Sequence, residues 1–145
     1  MIYFCAGPYL PGISSGELSV AIGYTEPGAG TDLASLQTKA TRDGDGYVLN
    51  GQKVFTTMAH FADYIWLAAR TDPDAPKHRG ISMFMVDTKT PGIRIEPLHT
   101  MGGLRSNFTF LDDVRVPRDC LIGEENRGWT YPSSRPRWPR SSARS

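Results

Sequence analysis

Leu36-Gln37-Thr38-Lys39-Ala40-Thr41-Arg42-Asp43-Gly44-Asp45-Gly46-Tyr47-Val48-Leu49-Asn50-Gly51-Gln52-Lys53-Val54-Phe55-Thr56-Thr57 decides the fold class. Leu36, Thr38 and Ala40 alternate with Gln37, Lys39 and Thr41, the two-residue period of a half-buried strand. Arg42 to Gly46 is turn chemistry, and Tyr47 to Leu49 reads as a short strand. Asn50-Gly51 is the strongest short-range hairpin signal, a type I′ turn, with Gln52 to Thr57 as the returning strand.

The same grammar extends in both directions. Glu17 to Tyr24 reads as the first strand, and Ala62 to Arg70 as a long one carrying Tyr64, Ile65, Trp66 and Leu67. Thr71 to Gly80 is a solvent loop. Ile81 to Val86 is continuously apolar, as a strand buried on both faces must be. Pro91-Gly92 turns the chain into Ile93 to Leu98, where Ile93 and Ile95 alternate with Arg94 and Glu96. Met101-Gly102-Gly103 opens a loop, and Asn107 to Val116 makes the last strand, closed by Pro117. About seven or eight short strands with turn signals between them, and no helical period, predict an all-β fold. A small flattened barrel or two packed antiparallel sheets fits this count. Met1 to Gly16 has no clear period and reads as the remnant of an upstream segment, leaving residues 17–128 as the β domain. From Trp129 to Ser145 the chain is mostly Ser, Pro and Arg, too poor in aliphatic residues to bury itself, and disorder is expected there.

Composition removes several function classes. Sixteen basic and 15 acidic residues leave a net charge of +1, with no global field for nucleic acid or a membrane surface. The basic excess sits in the tail, at Arg135, Arg137, Arg140 and Arg144; a nucleic-acid-binding tail would call for repeats or lysines that are not there. Cys5 and Cys120 lie far apart, and His60, His78 and His99 are scattered, so neither a zinc site nor a disulfide scaffold is indicated. No apolar run approaches the roughly 20 residues that span a bilayer. The start lacks a basic region followed by a secretory apolar segment, and the cytoplasm is the expected compartment.

The candidate site is the loop Tyr24-Thr25-Glu26-Pro27-Gly28-Ala29-Gly30-Thr31-Asp32. Pro27 restricts Glu26 to extended or turn geometry, and the glycines let another molecule approach a backbone rich in N–H donors. An anionic or heteroaromatic ligand suits such a loop; a capped surface turn is the plainer reading. Glu26 is expected to brace the loop rather than to catalyse.

Taken with Asn50-Gly51-Gln52-Lys53-Val54-Phe55-Thr56-Thr57, Asp113-Val114-Arg115-Val116-Pro117 and Ile122-Gly123-Glu124-Glu125-Asn126-Arg127-Gly128-Trp129, this loop resembles the middle domain of acyl-CoA dehydrogenases. The resemblance runs from about Tyr9 to Trp129. It implies FAD as cofactor, an acyl-CoA substrate, α,β-dehydrogenation of the thioester, an electron-transferring flavoprotein as electron acceptor, and an oligomeric complete protein. By the same resemblance, Tyr24 and Thr25 meet the flavin ring with Ile22 close by, Gly30 is among the cofactor-binding residues, and Thr31 lies along the diphosphate. Thr31 also faces the pantetheine arm of the substrate. Phe55 stacks on the isoalloxazine where many members carry Trp, and Thr56 and Thr57 follow it, Thr57 opposite flavin N5. Phe55 and Thr57, at i and i+2, are expected on one strand face. The family's catalytic carboxylate belongs to a C-terminal helical part with no counterpart in this sequence, so no catalytic residue is named and the chain alone is expected to be inactive. An acyl-CoA oxidase or flavin monooxygenase of the same fold, and a non-catalytic β interaction module, are the alternative readings.

Overall fold

The computed structural model describes residues 7–130. A short helix, α1 (Leu10–Ser15), comes first, with a proline in its opening turn and Gly16 closing it at φ +80. Six residues are too few to display a period, so the sequence gives no sign of it. The strands follow: β1 (Val20–Gly23), β2 (Lys39–Asp43), β3 (Gly46–Lys53), β4 (Tyr64–Arg70), β5 (Ile81–Asp87), β6 (Ile93–His99), β7 (Arg105–Pro117) and β8 (Leu121–Ile122). The all-β expectation holds.

All eight strands belong to one sheet, ordered β6-β7-β3-β2-β4-β5-β8, with β1 added alongside β4. Two antiparallel groups make up this sheet, β6-β7-β3-β2 and β4-β5-β8. A single parallel register, Lys39 opposite Arg70, joins them, and β1 also runs parallel to β4. Arg70 reinforces the seam: its backbone N–H donates to Thr38 O at 2.7 Å, and its guanidinium donates to Ala34 O and Leu36 O at 2.6 and 3.2 Å.

The core explains why β4 and β5 read as they do. Ile65, Leu67, Ala69, Phe84 and Val86 face one cluster together with Tyr47, Leu49, Leu111 and Val114. Ala68, Ile81, Met83 and Met85 face a second with Ala29, Leu36 and Ile122. A strand with a core on each side has no polar face, hence the unbroken run Ile81 to Val86.

Three boundaries differ from the sequence reading. The tight turn is the two-residue loop Gly44-Asp45, with Gly44 at φ +59, while Asn50-Gly51 lies inside β3. There it faces a bulge in β7, where β3 advances two residues from Leu49 to Gly51 while β7 spans three from Leu111 to Val114. The Asn50 side chain closes the bulge by donating to Asp113 Oδ1 at 3.0 Å and accepting the Asp113 N–H at 2.9 Å. The long partner strand β7 thus outcompetes a local hairpin by pairing on both sides of the irregularity. Second, β7 is followed by a further short strand, β8, paired with β5. Third, Trp129 packs against the second core cluster and lies 4.8 Å from the His78 ring, so packing continues past the expected edge of the tail. The rest of that tail, from Tyr131, and the start of the N-terminal remnant, Met1 to Ala6, lie outside the described residues.

Candidate cofactor-binding site

β1 delivers the chain into the glycine-rich loop. Glu26 and Ala29 exchange both backbone hydrogen bonds at 3.1 Å, folding Glu26-Pro27-Gly28-Ala29 into a tight turn. Two of the N–H groups expected to be free for a ligand are therefore used within the loop. The Glu26 side chain turns inward and is 7% exposed. Its Oε2 accepts the Gln37 N–H at 2.6 Å, and its Oε1 accepts the Thr38 N–H at 2.9 Å and Lys53 Nζ at 2.8 Å. Bracing is what this geometry does, as the sequence reading expected of Glu26.

Lys53, the last residue of β3, is fully buried, and its Nζ also donates to Tyr24 O at 3.2 Å. Burial pushes its pKa down to about 8, against the pull of the Glu26 charge. Burial also pushes the Glu26 carboxyl up, but the Lys53 charge and the bonds from Lys53 and the Gln37 backbone outweigh that and hold it below its ordinary range. Sequence reasoning missed Lys53. The available signal was its odd-numbered place in register with Tyr47 and Leu49, which face the core, since a lysine there requires an acid partner.

The segment after β3 adjoins the loop. The Val54 N–H donates to Thr25 O at 2.9 Å, which sets Tyr24 and Thr25 beside Phe55. Phe55 is outside the strand: its φ is +58, and Met58 follows at +63. The expectation that Phe55 and Thr57 share a strand face is corrected in its cause, because the strand ends at Lys53. Both are nonetheless exposed, while Thr56 between them is fully buried. Asn107 secures that arrangement by accepting the Thr56 N–H at 3.0 Å with its backbone carbonyl and donating its side-chain amide to Thr56 O at 2.9 Å. The same amide lies 3.1 Å from His60 Nδ1, which accepts from it. An aromatic residue held at positive φ is strained, and such positions gather at functional sites.

Phe55 and Ile22 are each 60% exposed, and Met58 and Phe61 are exposed as well. Tyr24 and Thr25 are half-buried, and burial pushes the Tyr24 phenol up. Gly30 lies next to Thr25, where an added Cβ would meet Thr25 Cγ2 at 3.9 Å. Thr31 is exposed further along the loop, and no hydrogen bond ties it to the Phe55 segment among those described. The structure therefore brings together Tyr24, Thr25, Phe55 and Thr57, with Gly30 at their edge. Thr56 is buried, and Thr31 is exposed. A cleft of about 590 Å³ beside Glu26, Pro27, Arg94 and Phe110 and one of about 1020 Å³ at the β2–β4 seam are not lined by Phe55 or Thr57. Among the described residues no cluster of His, Cys, Asp or Glu could hold a metal ion, and no helix is long and apolar enough to cross a membrane.

Residues 21–114, which include most of β1, the loop and the Phe55 segment, match the family described as acyl-CoA dehydrogenase, middle domain. The chain belongs to the acyl-CoA dehydrogenase family. Acyl-CoA dehydrogenase FadE29 of Mycobacterium tuberculosis is 62% identical over 122 residues, which cover 83% of this chain and 32% of that protein. The mitochondrial long-chain specific acyl-CoA dehydrogenase of Rattus norvegicus is 41% identical over 129 residues, 85% of this chain and 30% of the relative. Among solved structures, the Tcur3481-Tcur3483 steroid ACAD superposes with a TM-score of 0.87 at 55% identity, covering 88% of this chain and 33% of that one. The ChsE4-ChsE5 complex from Mycobacterium tuberculosis gives 0.81 at 54% identity, covering 84% and 32%. The chain thus spans about a third of the length of these acyl-CoA dehydrogenases.

Proposed function

We propose that this chain is the flavin- and acyl-CoA-binding β domain of an FAD-dependent acyl-CoA dehydrogenase, and that it is inactive without the remainder of the enzyme. One observation carries the reading: exposed Phe55 stands beside the Tyr24–Thr25 loop, joined to it through the bond from Val54 N to Thr25 O. The residues suit a flavin. Phe55 offers an apolar face for a flat heterocycle, Ile22 extends that face, and the Tyr24–Thr25 backbone lines a polar rim. Held there by Phe55, Tyr24 and Thr25, this group would supply a hydride acceptor for dehydrogenation of the thioester. The chain's own part is to stack the ring with Phe55, to set its rim with Thr25, and to present the Thr57 hydroxyl on the same side. Gly30 and Thr31 would serve the diphosphate and the pantetheine arm, and buried Thr56 would hold its two neighbours in place.

The catalytic carboxylate, in this reading, comes from the part of the enzyme outside this chain. Electrons would pass to an electron-transferring flavoprotein, in the cytoplasm. Likeness to a protein described as a steroid ACAD favours a steroid-bearing acyl-CoA as substrate, and likeness to the ChsE4-ChsE5 complex favours a hetero-oligomer. The alternative of a non-catalytic interaction module draws on the same exposed Ile22, Phe55, Met58 and Phe61. A titration of the purified chain with FAD, followed by flavin fluorescence and by sedimentation, decides between them. Quenching that saturates supports the flavin domain, whereas a colourless oligomer supports the module. Turnover of acyl-CoA with a dye acceptor at rates typical of complete enzymes would overturn the proposed inactivity.

A further inference from the structure

We infer that Lys53 is a positioning residue that, paired with Glu26, holds the Tyr24–Thr25 peptide so that its N–H points outward as a polarised donor to a bound ring. The inference rests on the flavin reading above and goes beyond it, because Lys53 is fully buried and lies in none of the proposed contacts.

Several facts converge on this peptide. Lys53 Nζ donates to Tyr24 O at 3.2 Å from beneath the loop. A trans peptide is planar, with its C=O and N–H opposed, so the Thr25 N–H is directed away from Lys53. The next carbonyl, Thr25 O, is held by Val54 N at 2.9 Å, which leaves the Tyr24–Thr25 unit clamped at both oxygens. An ammonium behind the carbonyl draws charge through the peptide and strengthens the opposite N–H as a donor. Glu26 keeps that ammonium charged and in place at 2.8 Å, and is itself fixed by Gln37 N and Thr38 N. A buried ion pair is a poor way to gain stability, since apolar residues of similar volume often serve as well or better. Apolar residues could not grip a carbonyl, which is the one thing this pair does toward the site. No other titratable side chain makes a hydrogen bond or ion pair with Lys53 or Glu26 among the described contacts.

The test uses the chain with the double substitution Glu26→Gln, Lys53→Met, which removes both charges at nearly constant volume. Amide hydrogen exchange by NMR should quicken at least about tenfold at Gln37, Thr38 and Val54, whose N–H groups donate to Glu26 and to Thr25 O, and stay unchanged at Ile65 and Leu67. FAD affinity should fall at least about fivefold. Unchanged exchange at Val54 overturns the inference, and unchanged FAD affinity in a variant whose wild-type parent binds FAD does so too. A wild-type chain that takes up no FAD while the exchange pattern changes as expected supports the clamp and counts against the flavin reading. Wild-type chain provides a second measurement that needs no variant to fold. As Lys53 Nζ is titrated, the Thr25 amide nitrogen and the Tyr24 carbonyl carbon should shift with it, and a Lys53 titration that leaves both untouched sinks the idea.

Discussion

The backbone N–H of Val54 lies 2.9 Å from the carbonyl oxygen of Thr25, and this bond ties the end of β3 to the glycine-rich loop. It brings two segments about thirty positions apart onto one face and sets Phe55 next to Thr25. The flavin reading requires that juxtaposition. Had the two segments lain on opposite sides of the sheet, a ring could not have met both.

Phe55→Ala therefore tests recognition with little effect on folding. The ring is 60% exposed, so thermal stability should change by no more than about 0.5 kcal/mol. Loss of an aromatic stacking partner should weaken FAD binding by about 1 kcal/mol, roughly fivefold to tenfold, by fluorescence titration. Unaltered affinity would remove Phe55 from the site.

Leu67→Ala tests the fold. Leu67 is fully buried among Ile65, Phe84 and Val86, where both antiparallel groups contribute to one cluster. Truncation should cost about 2–5 kcal/mol, a large share of the stability of a domain this size, read as a lower urea midpoint with an unchanged slope. A cost below about 1 kcal/mol would mean that the cluster is not packed as described.

These residues also show what was legible beforehand. The doubly buried β5 and the alternating β6 follow from side-chain periodicity alone, and each appears within a residue or two of its expected span. Asn50-Gly51 misled because a turn propensity is local, whereas the strand that pulls it straight, β7, lies some sixty residues on. Phe55 and the loop could be named in advance through resemblance, but the positive φ that turns the ring outward is a tertiary effect. Lys53 and Asn107 were missed for a related reason. Each is polar and wholly buried, and only its partners, Glu26 and Thr56, explain it.

Gly51 carries the misread turn's physical content. Its φ is +147, and a Cβ there would sit 2.7 Å from Thr38 Oγ1 and 2.8 Å from Thr38 Cα. Gly51→Ala combines an unfavourable backbone region with a clash against the segment that donates to Glu26. The expected loss is about 2 kcal/mol by chemical denaturation, with faster amide exchange at Thr38. A neutral result would show that the bulge relaxes freely.

The buried pair gives stability a slope at both ends of the pH range. Glu26 is held below its ordinary 4.5, so as acid is added the unfolded chain binds its proton first. Its contribution is complete above that value and is lost as pH falls through the lower folded one. Lys53 works at the other end, its folded pKa of about 8 lying below its ordinary 10.5. Between those values the unfolded chain holds more protons than the folded one, so stability contributed by this group rises with pH across that window. Glu26→Gln should flatten the acid limb and, by withdrawing the charge that supports Lys53, start the alkaline rise at lower pH. With Lys53→Met added, the alkaline rise should vanish as well. Urea midpoints measured from about pH 3 to 11 for the three proteins check both limbs, and parallel curves for all three would mean that neither group titrates differently in the folded chain.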